Sequence, residues 1–276
     1  MMKVTQLVDR FGSNRMNAAE PAKLLRGCTC IAVPFSGGMC EVPHMTANVI
    51  LVNDLDRHVI NLAQVLAKHE EAAWLIEQLT KVPFHPDVLL TAQKRLRERE
   101  AGDMPDLNGS VSARVQWALD YFVASWMTRG GKGGTRGEFD AGLSIRWKSG
   151  GGDSVVRFRN ATESLAEWEK VMRRCTFTTL DALDFLRECQ KRDIPENGIY
   201  CDPPWIGDGD KYTHNIDHDE LRAALESFEQ TRIVVRYGDC DALRKLYREP
   251  EWTWNRLESR TQANTAKAEV LLTRNV

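Results

Sequence analysis

Two hundred and seventy-six residues, 42% hydrophobic and 28% charged, are enough to bury a core and too balanced for a disordered, collagenous or disulfide-stapled chain. No run approaches the roughly 18 apolar residues of a membrane span, and Lys3, Asp9, Arg10, Arg15 and Glu20 interrupt the stretch where a signal peptide would be apolar. Net charge is −2, and the seven cysteines show no repeated C-x-x-C spacing, which argues against a closed zinc site and fits reduced thiols in a cytoplasm.

In chain order, short apolar runs at 30–33 and 49–52 read as buried strands. From 65 the pattern turns helical, including 113–127 with Trp117, Tyr121, Ala124 and Trp126. A glycine-rich stretch at 130–134 follows. Then 143–147 and 155–159 flank Gly150-Gly151-Gly152-Asp153, which predicts a β-hairpin. Leu165, Trp168, Val171 and Met172 share a helical face. Strand-like runs return at 176–179, 198–201, 232–235 and 268–273, separated by helical segments around Leu183 and Leu186 and around Leu221, Ala224 and Leu225. Strand–helix alternation at both ends predicts an α/β sandwich formed by 1–64 and 170–276, with 65–169 inserted into it.

Charge is uneven. Between Arg129 and Arg159, seven basic residues face three acidic ones, a net +4 on an otherwise acidic chain. With screening over about 8 Å at physiological salt, such a patch can hold a polyanion, although a plain solvated face is the better reading of a charge cluster taken alone.

Asp202-Pro203-Pro204-Trp205 directly follows the run that ends at Cys201. A turn accounts for it, since Asp and Pro both favour one. Its place at a strand's carboxyl end points to a ligand as well, because α/β sheets hold ligands at that edge. A carboxylate and the carbonyls around a Pro-Pro step form a rigid acceptor set with no competing proline N–H. The exocyclic amine of a nucleobase brings two matching donors, and Trp205 adds a stacking ring.

Pro34-Phe35-Ser36-Gly37-Gly38 closes the first strand, where glycines admit a ligand to the backbone; an ordinary tight turn reads equally well. Neither here nor at 130–137 does a P-loop pattern occur. Asn53-Asp54-Leu55-Asp56 closes the second strand, and Asp54 suits either the hydroxyls of a ribose or a helix N-cap. Asp181, after 176–179, is open to the same two readings.

This ordered set resembles the Dam-like, adenine-specific DNA methyltransferases that use S-adenosylmethionine. The resemblance rests on Phe11-Gly12-Ser13-Asn14-Arg15, on Pro34 to Gly38, on Asn53 to Asp56, on Asp181 and on Tyr200-Cys201-Asp202-Pro203-Pro204-Trp205. Weaker echoes lie at Tyr212, at Asp217-His218-Asp219 with Leu221, and at 269–275. It covers both ends of the chain and is thin from 65 to 169. The chain departs from the family pattern at Phe11, Arg15, Val33 and Met39, and has Trp205 where Tyr is usual.

The resemblance implies a Rossmann-like S-adenosylmethionine-dependent methyltransferase sandwich with an inserted helical plus β-hairpin target-recognition domain. It implies methyl transfer to the exocyclic amino group of adenine in duplex DNA, carried by Asp202, Pro203, Pro204 and Trp205. Phe11, Arg15, Pro34, Phe35, Ser36, Gly37, Gly38, Asp54, Leu55 and Asp181 would hold the cofactor, S-adenosyl-L-methionine, without a metal. Arg129, Lys132, Arg136, Arg146 and Lys148 would meet DNA. The expected setting is the cytoplasm of a bacterium or of a phage's bacterial host, with no membrane partner and with room for a cognate restriction nuclease. Transfer to adenine in RNA, a DNA-binding descendant without cofactor, and amino methylation of cytosine are the alternatives.

Overall fold

The computed structural model describes residues 5–10, 16–102, 107–128, 139–145, 153–207, 214–260 and 266–276. The chain divides into two compact units. One comprises Asn14–Ser36, His44–Leu55 and Thr176–Val276, and the other Met1–Ser13, Gly37–Pro43 and Asp56–Cys175.

The first unit is a seven-stranded mixed sheet with helices, beginning with α1 (Glu20–Leu24), an α/β fold as the sequence predicts. The strands are β1 (Cys30–Val33), β2 (Val49–Asn53), β3 (Cys175–Thr178), β4 (Asn197–Cys201), β5 (Arg232–Gly238), β6 (Thr253–Arg260) and β7 (Ala266–Arg274), in the order β3-β2-β1-β4-β5-β7-β6. β1 pairs in parallel with β2 and with β4, and β4 with β5, whereas β7 runs antiparallel to both β5 and β6. The central strands are largely apolar because both of their faces are covered. β6 escapes the sequence reading because Trp254, Arg256 and Glu258 alternate with Thr253, Asn255 and Leu257, as suits a charged edge strand.

Strand order reverses between β1 and β4, so the loops leaving their carboxyl ends flank the crevice where doubly wound sheets bind ligands. β1 leads into Pro34 and β4 into Asp202. One core packs Ile199 and Cys201, Ile233, Val235 and Tyr237, and Val270 and Leu272, with Phe185, Leu186, Leu221 and Leu225 from α7 (Ala182–Gln190) and α8 (His218–Glu226). Each such apolar side chain contributes about 1.5–3 kcal/mol on burial.

A carboxylate ties the loop before β5. Asp193 accepts from the backbone N–H groups of Glu229 (2.7 Å) and Thr231 (2.7 Å), from that of Gln230, and from the Thr231 hydroxyl (2.7 Å). Burial works to raise its pKa, and these donors outweigh it, leaving Asp193 below the ordinary carboxylate range. A lowered folded pKa gives stability that is present above the unfolded value of about 3.9 and is lost as pH falls through the folded one. Asp193→Asn is therefore expected to cost about 1–3 kcal/mol at pH 7 in urea unfolding, with the gap to wild type closing below about pH 4.

The second unit is helical: α2 (Arg57–Leu66), α3 (His69–Lys81), α4 (Pro86–Ala101), α5 (Val111–Met127) and α6 (Ser154–Met172). α5 is its centre, burying Trp117, Tyr121, Phe122 and Trp126. Several polar side chains buried among these helices are paired. Arg99 of α4 reaches Asp120 at 2.8 Å, Arg114 pairs with Glu71, and the Trp117 indole donates to His58 Nδ1 at 2.7 Å.

The expected hairpin is not formed. Val155 to Arg159 lie in the first turns of α6, whose N-cap Asp153 accepts from the Val155 N–H at 3.1 Å. Phe158, Ala161, Thr162, Leu165, Trp168 and Met172 are buried at three- and four-residue spacing, while Val155 and Val156 face outward. Apolar and basic residues alternating over five positions fit either period; the cap and the longer helical repeat decide it. Leu143, in the other expected arm, makes one antiparallel bridge to Thr128. Among the described residues no helix is long and apolar enough to cross a membrane.

Candidate active site at the carboxyl edge of the sheet

Two clusters stand at the carboxyl ends of the strands. The first is organised by Asn53, the fully buried last residue of β2. Its amide nitrogen donates to the carbonyls of Pro34 (3.1 Å) and Leu180 (3.0 Å). Its amide oxygen accepts from the Thr178 hydroxyl (2.8 Å) and the Leu180 N–H (2.9 Å). One side chain thus satisfies polar groups from the loops after β1 and β3.

Ser36, also buried, donates its N–H to the Asn53 carbonyl (3.1 Å) and its hydroxyl to Asp54 (3.3 Å). Asp54 is half-buried, Leu55 is 43% exposed, and Phe35 packs half-buried against the sheet core. Gly37 has φ +47°, a conformation that favours glycine, and a Cβ there would meet nothing within 4 Å. The Gly38 carbonyl accepts from the Leu7 N–H at 2.9 Å.

The expected residues therefore converge in part. Pro34, Ser36 and Asp54 are joined through Asn53 and through one another. Asp181 is exposed and caps α7, accepting from the Leu183 N–H at 2.9 Å, which is the simpler of its two readings. Phe11, Arg15, Arg129, Lys132, Arg136, Arg146 and Lys148 lie outside the described residues.

Asn53→Ala would remove the partner of two carbonyls, one N–H and one hydroxyl. The expected cost is about 2–4 kcal/mol in urea unfolding, since each buried polar group left unpaired costs about 1–3 kcal/mol and water recovers part.

The second cluster surrounds Asp202. Its side chain is 19% exposed, and its carboxylate accepts from Arg236 Nη1 at 2.9 Å and, more weakly, from the Trp205 indole N–H at 3.4 Å. Burial raises the Asp202 pKa, Arg236 pulls it back, and the net direction is up. Arg236 is itself buried and gives Nε and Nη2 to Glu269 at 3.1 and 2.8 Å.

Strand register explains the pairing. Gly238 lies opposite Glu269 and Arg236 opposite Leu271, so these four share one face of the β5–β7 pair, with Arg236 and Glu269 on a diagonal. Trp205 sits on that face, with the Arg236 guanidinium 5.2 Å from its ring centroid and Gly238 beneath it. At 8% exposure, the indole lies against the Asp202 side chain and presents no open stacking face in this arrangement. Pro203 is buried and Pro204 half-buried.

Asn53, Arg236, Gly238 and Glu269 are the residues that sequence reasoning missed as part of the site. A signal existed for Arg236. The apolar run 232–235 stops where a charge interrupts it, and a charged residue continuing a central strand must be paired when buried. Compared with models of known protein families and with curated proteins, the chain matches none.

Proposed function

We propose that the chain is an S-adenosylmethionine-dependent methyltransferase acting on the exocyclic amino group of adenine in DNA. The observation that carries this reading is the position of Asp202. A half-buried carboxylate on a Pro-Pro loop leaves β4 at the strand-order reversal, walled by an indole.

Adenine's amine is a poor nucleophile because its lone pair is delocalised into the ring. Hydrogen bonds from the amine to the Asp202 carboxylate and the Pro203 carbonyl localise that lone pair and stabilise positive charge growing on nitrogen. Asp202 accepts and needs no proton of its own. Cys201 is fully buried with a thiol pushed well up by burial, so it stays protonated and takes no nucleophilic part.

When bound, S-adenosylmethionine supplies a methyl on a cationic sulfur that leaves without protonation. The residues after β1 and β2 suit its nucleoside. Asp54 offers acceptor oxygens for ribose hydroxyls, and Phe35 an apolar ring. A base in a duplex would be turned out of the stack to reach Asp202.

Calorimetric titration with S-adenosylmethionine tests the cofactor half of this reading. One site per chain is expected, weakened in Asp54→Ala. An absence of binding would leave the reading without its methyl donor.

A further inference from the structure

The Asp202–Arg236–Glu269 arrangement does more than fill space. Resting on the methyltransferase reading above, we propose that Arg236 is a positioning residue, anchored by Glu269, that keeps Asp202 ionised and aimed as the acceptor of the substrate amine. Three observations carry it.

The first is geometry. Arg236 Nη1 takes one oxygen of Asp202, Oδ2, while the same guanidinium is pinned through two other donors to a single oxygen of Glu269. A planar fork held at three points fixes the rotation of the carboxylate it touches. The second oxygen, Oδ1, meets only the long 3.4 Å contact from the indole among the described residues, and a carboxylate oxygen has two lone pairs. Oδ1 is therefore the acceptor for an incoming amine.

The second is electrostatic. Side-chain exposures of 19%, 5% and 4% for Asp202, Arg236 and Glu269 put two carboxylates around one guanidinium away from water. A carboxylate there protonates more readily than in solution, a cation beside it limits that rise, and a protonated Asp202 would lose acceptor strength toward the amine. Arg236 supplies that cation, while Glu269 works against it at longer range.

The third is the surrounding set. Cys201 of β4 and Tyr237 of β5 are both pushed up by burial and stay neutral. His218 of α8, 2.9 Å from the Tyr237 hydroxyl, is lowered by burial and is neutral at pH 7. The charged partners that set the state of Asp202 among the described residues are thus Arg236 and Glu269.

The signs follow. Removing the cation disfavours the ionised form and raises the Asp202 midpoint; removing Glu269's charge lowers it. A purely structural ion pair would shift the midpoint as well, but it would leave the acid limb of kcat/KM where it is.

The test is a carboxyl-carbon NMR titration of protein labelled in aspartate, with the Asp202 resonance assigned by its absence in Asp202→Asn. It is run beside the pH profile of kcat/KM. Arg236→Met is expected to raise the midpoint by about one to three pH units, Glu269→Gln to lower it, and Arg236→Lys to hold it within about one unit. The acid limb of kcat/KM moves in the same directions. If Arg236→Met leaves two repelling buried carboxylates and does not fold, the double variant Arg236→Met/Glu269→Gln removes the repulsion, and its midpoint is expected above wild type.

Midpoints unmoved by these substitutions overturn the proposal whatever the activity. Shifted midpoints in a wild type that methylates nothing would sustain the ion-pair role and sink the methyltransferase reading instead.

Discussion

Asp202→Ala is expected to lower methyl transfer by on the order of 10³-fold while the affinity for S-adenosylmethionine stays within about threefold. The split follows from geometry. Asp202 is held by Arg236 and Trp205, whereas the Asn53 network ties together the loops after β1 and β3, including Pro34 and Leu180. On the proposed reading, removing an acceptor that would meet the amine acts on the reacting nitrogen and leaves the nucleoside contacts in place. Stability should fall by only about 1–2 kcal/mol, less than the usual 3–5 for breaking a buried ion pair, because Arg236 keeps Glu269. Asp202→Asn separates charge from shape. It keeps the volume and one acceptor oxygen, places an NH2 in the same position, and is expected to be nearly as inactive. Single-turnover transfer and calorimetry on the same preparations check the split.

Gly238→Ala is the second large effect. A Cβ at this position would stand 2.7 and 2.8 Å from Cε3 and Cζ3 of Trp205, closer than real Cβ contacts come. Those atoms belong to a large buried ring packed beside the Arg236 guanidinium, so the indole must move. Overpacking of this kind costs about 1–3 kcal/mol. It also takes the indole N–H from Asp202, and transfer is expected to drop at least about tenfold through misplacement of the loop. Trp205→Phe removes the second ring that the new methyl meets. The double variant Gly238→Ala/Trp205→Phe is therefore expected to be more stable than the two single changes sum to, a coupling that urea unfolding of all four proteins measures.

The strands and their order of appearance were legible because buried parallel strands are short, continuous apolar runs. β1, β2 and β4 fall where 30–33, 49–52 and 198–201 place them, to within a residue. β6 was hidden by its alternating polar residues, and α6 was misread because five residues of apolar and basic alternation look alike in both periods. Sequence spacing also brought Pro34, Ser36, Asp54, Asp202 and Trp205 to one edge of the sheet, since each closes or follows a parallel strand.

The supports behind them were not legible. Asn53 stands out in the sequence only as part of the Asn53–Asp56 motif, with no role until its four partners are seen, and Arg236 meets Asp202 from 34 positions away in the chain. Glu269 joins them only through the antiparallel register of β7, which no local pattern specifies.

The central claim is the transfer of a methyl group to adenine at Asp202. The direct measurement incubates wild type and Asp202→Ala with S-adenosylmethionine and separate mixed-sequence pools of duplex DNA and RNA, digests them to nucleosides, and weighs the products. The expected result is adenine methylated on its amino group from the DNA pool with wild type, and none with the variant. Methylated adenine from RNA alone would move the substrate, methylated cytosine would move the base, and equal methylation by Asp202→Ala would contradict the account.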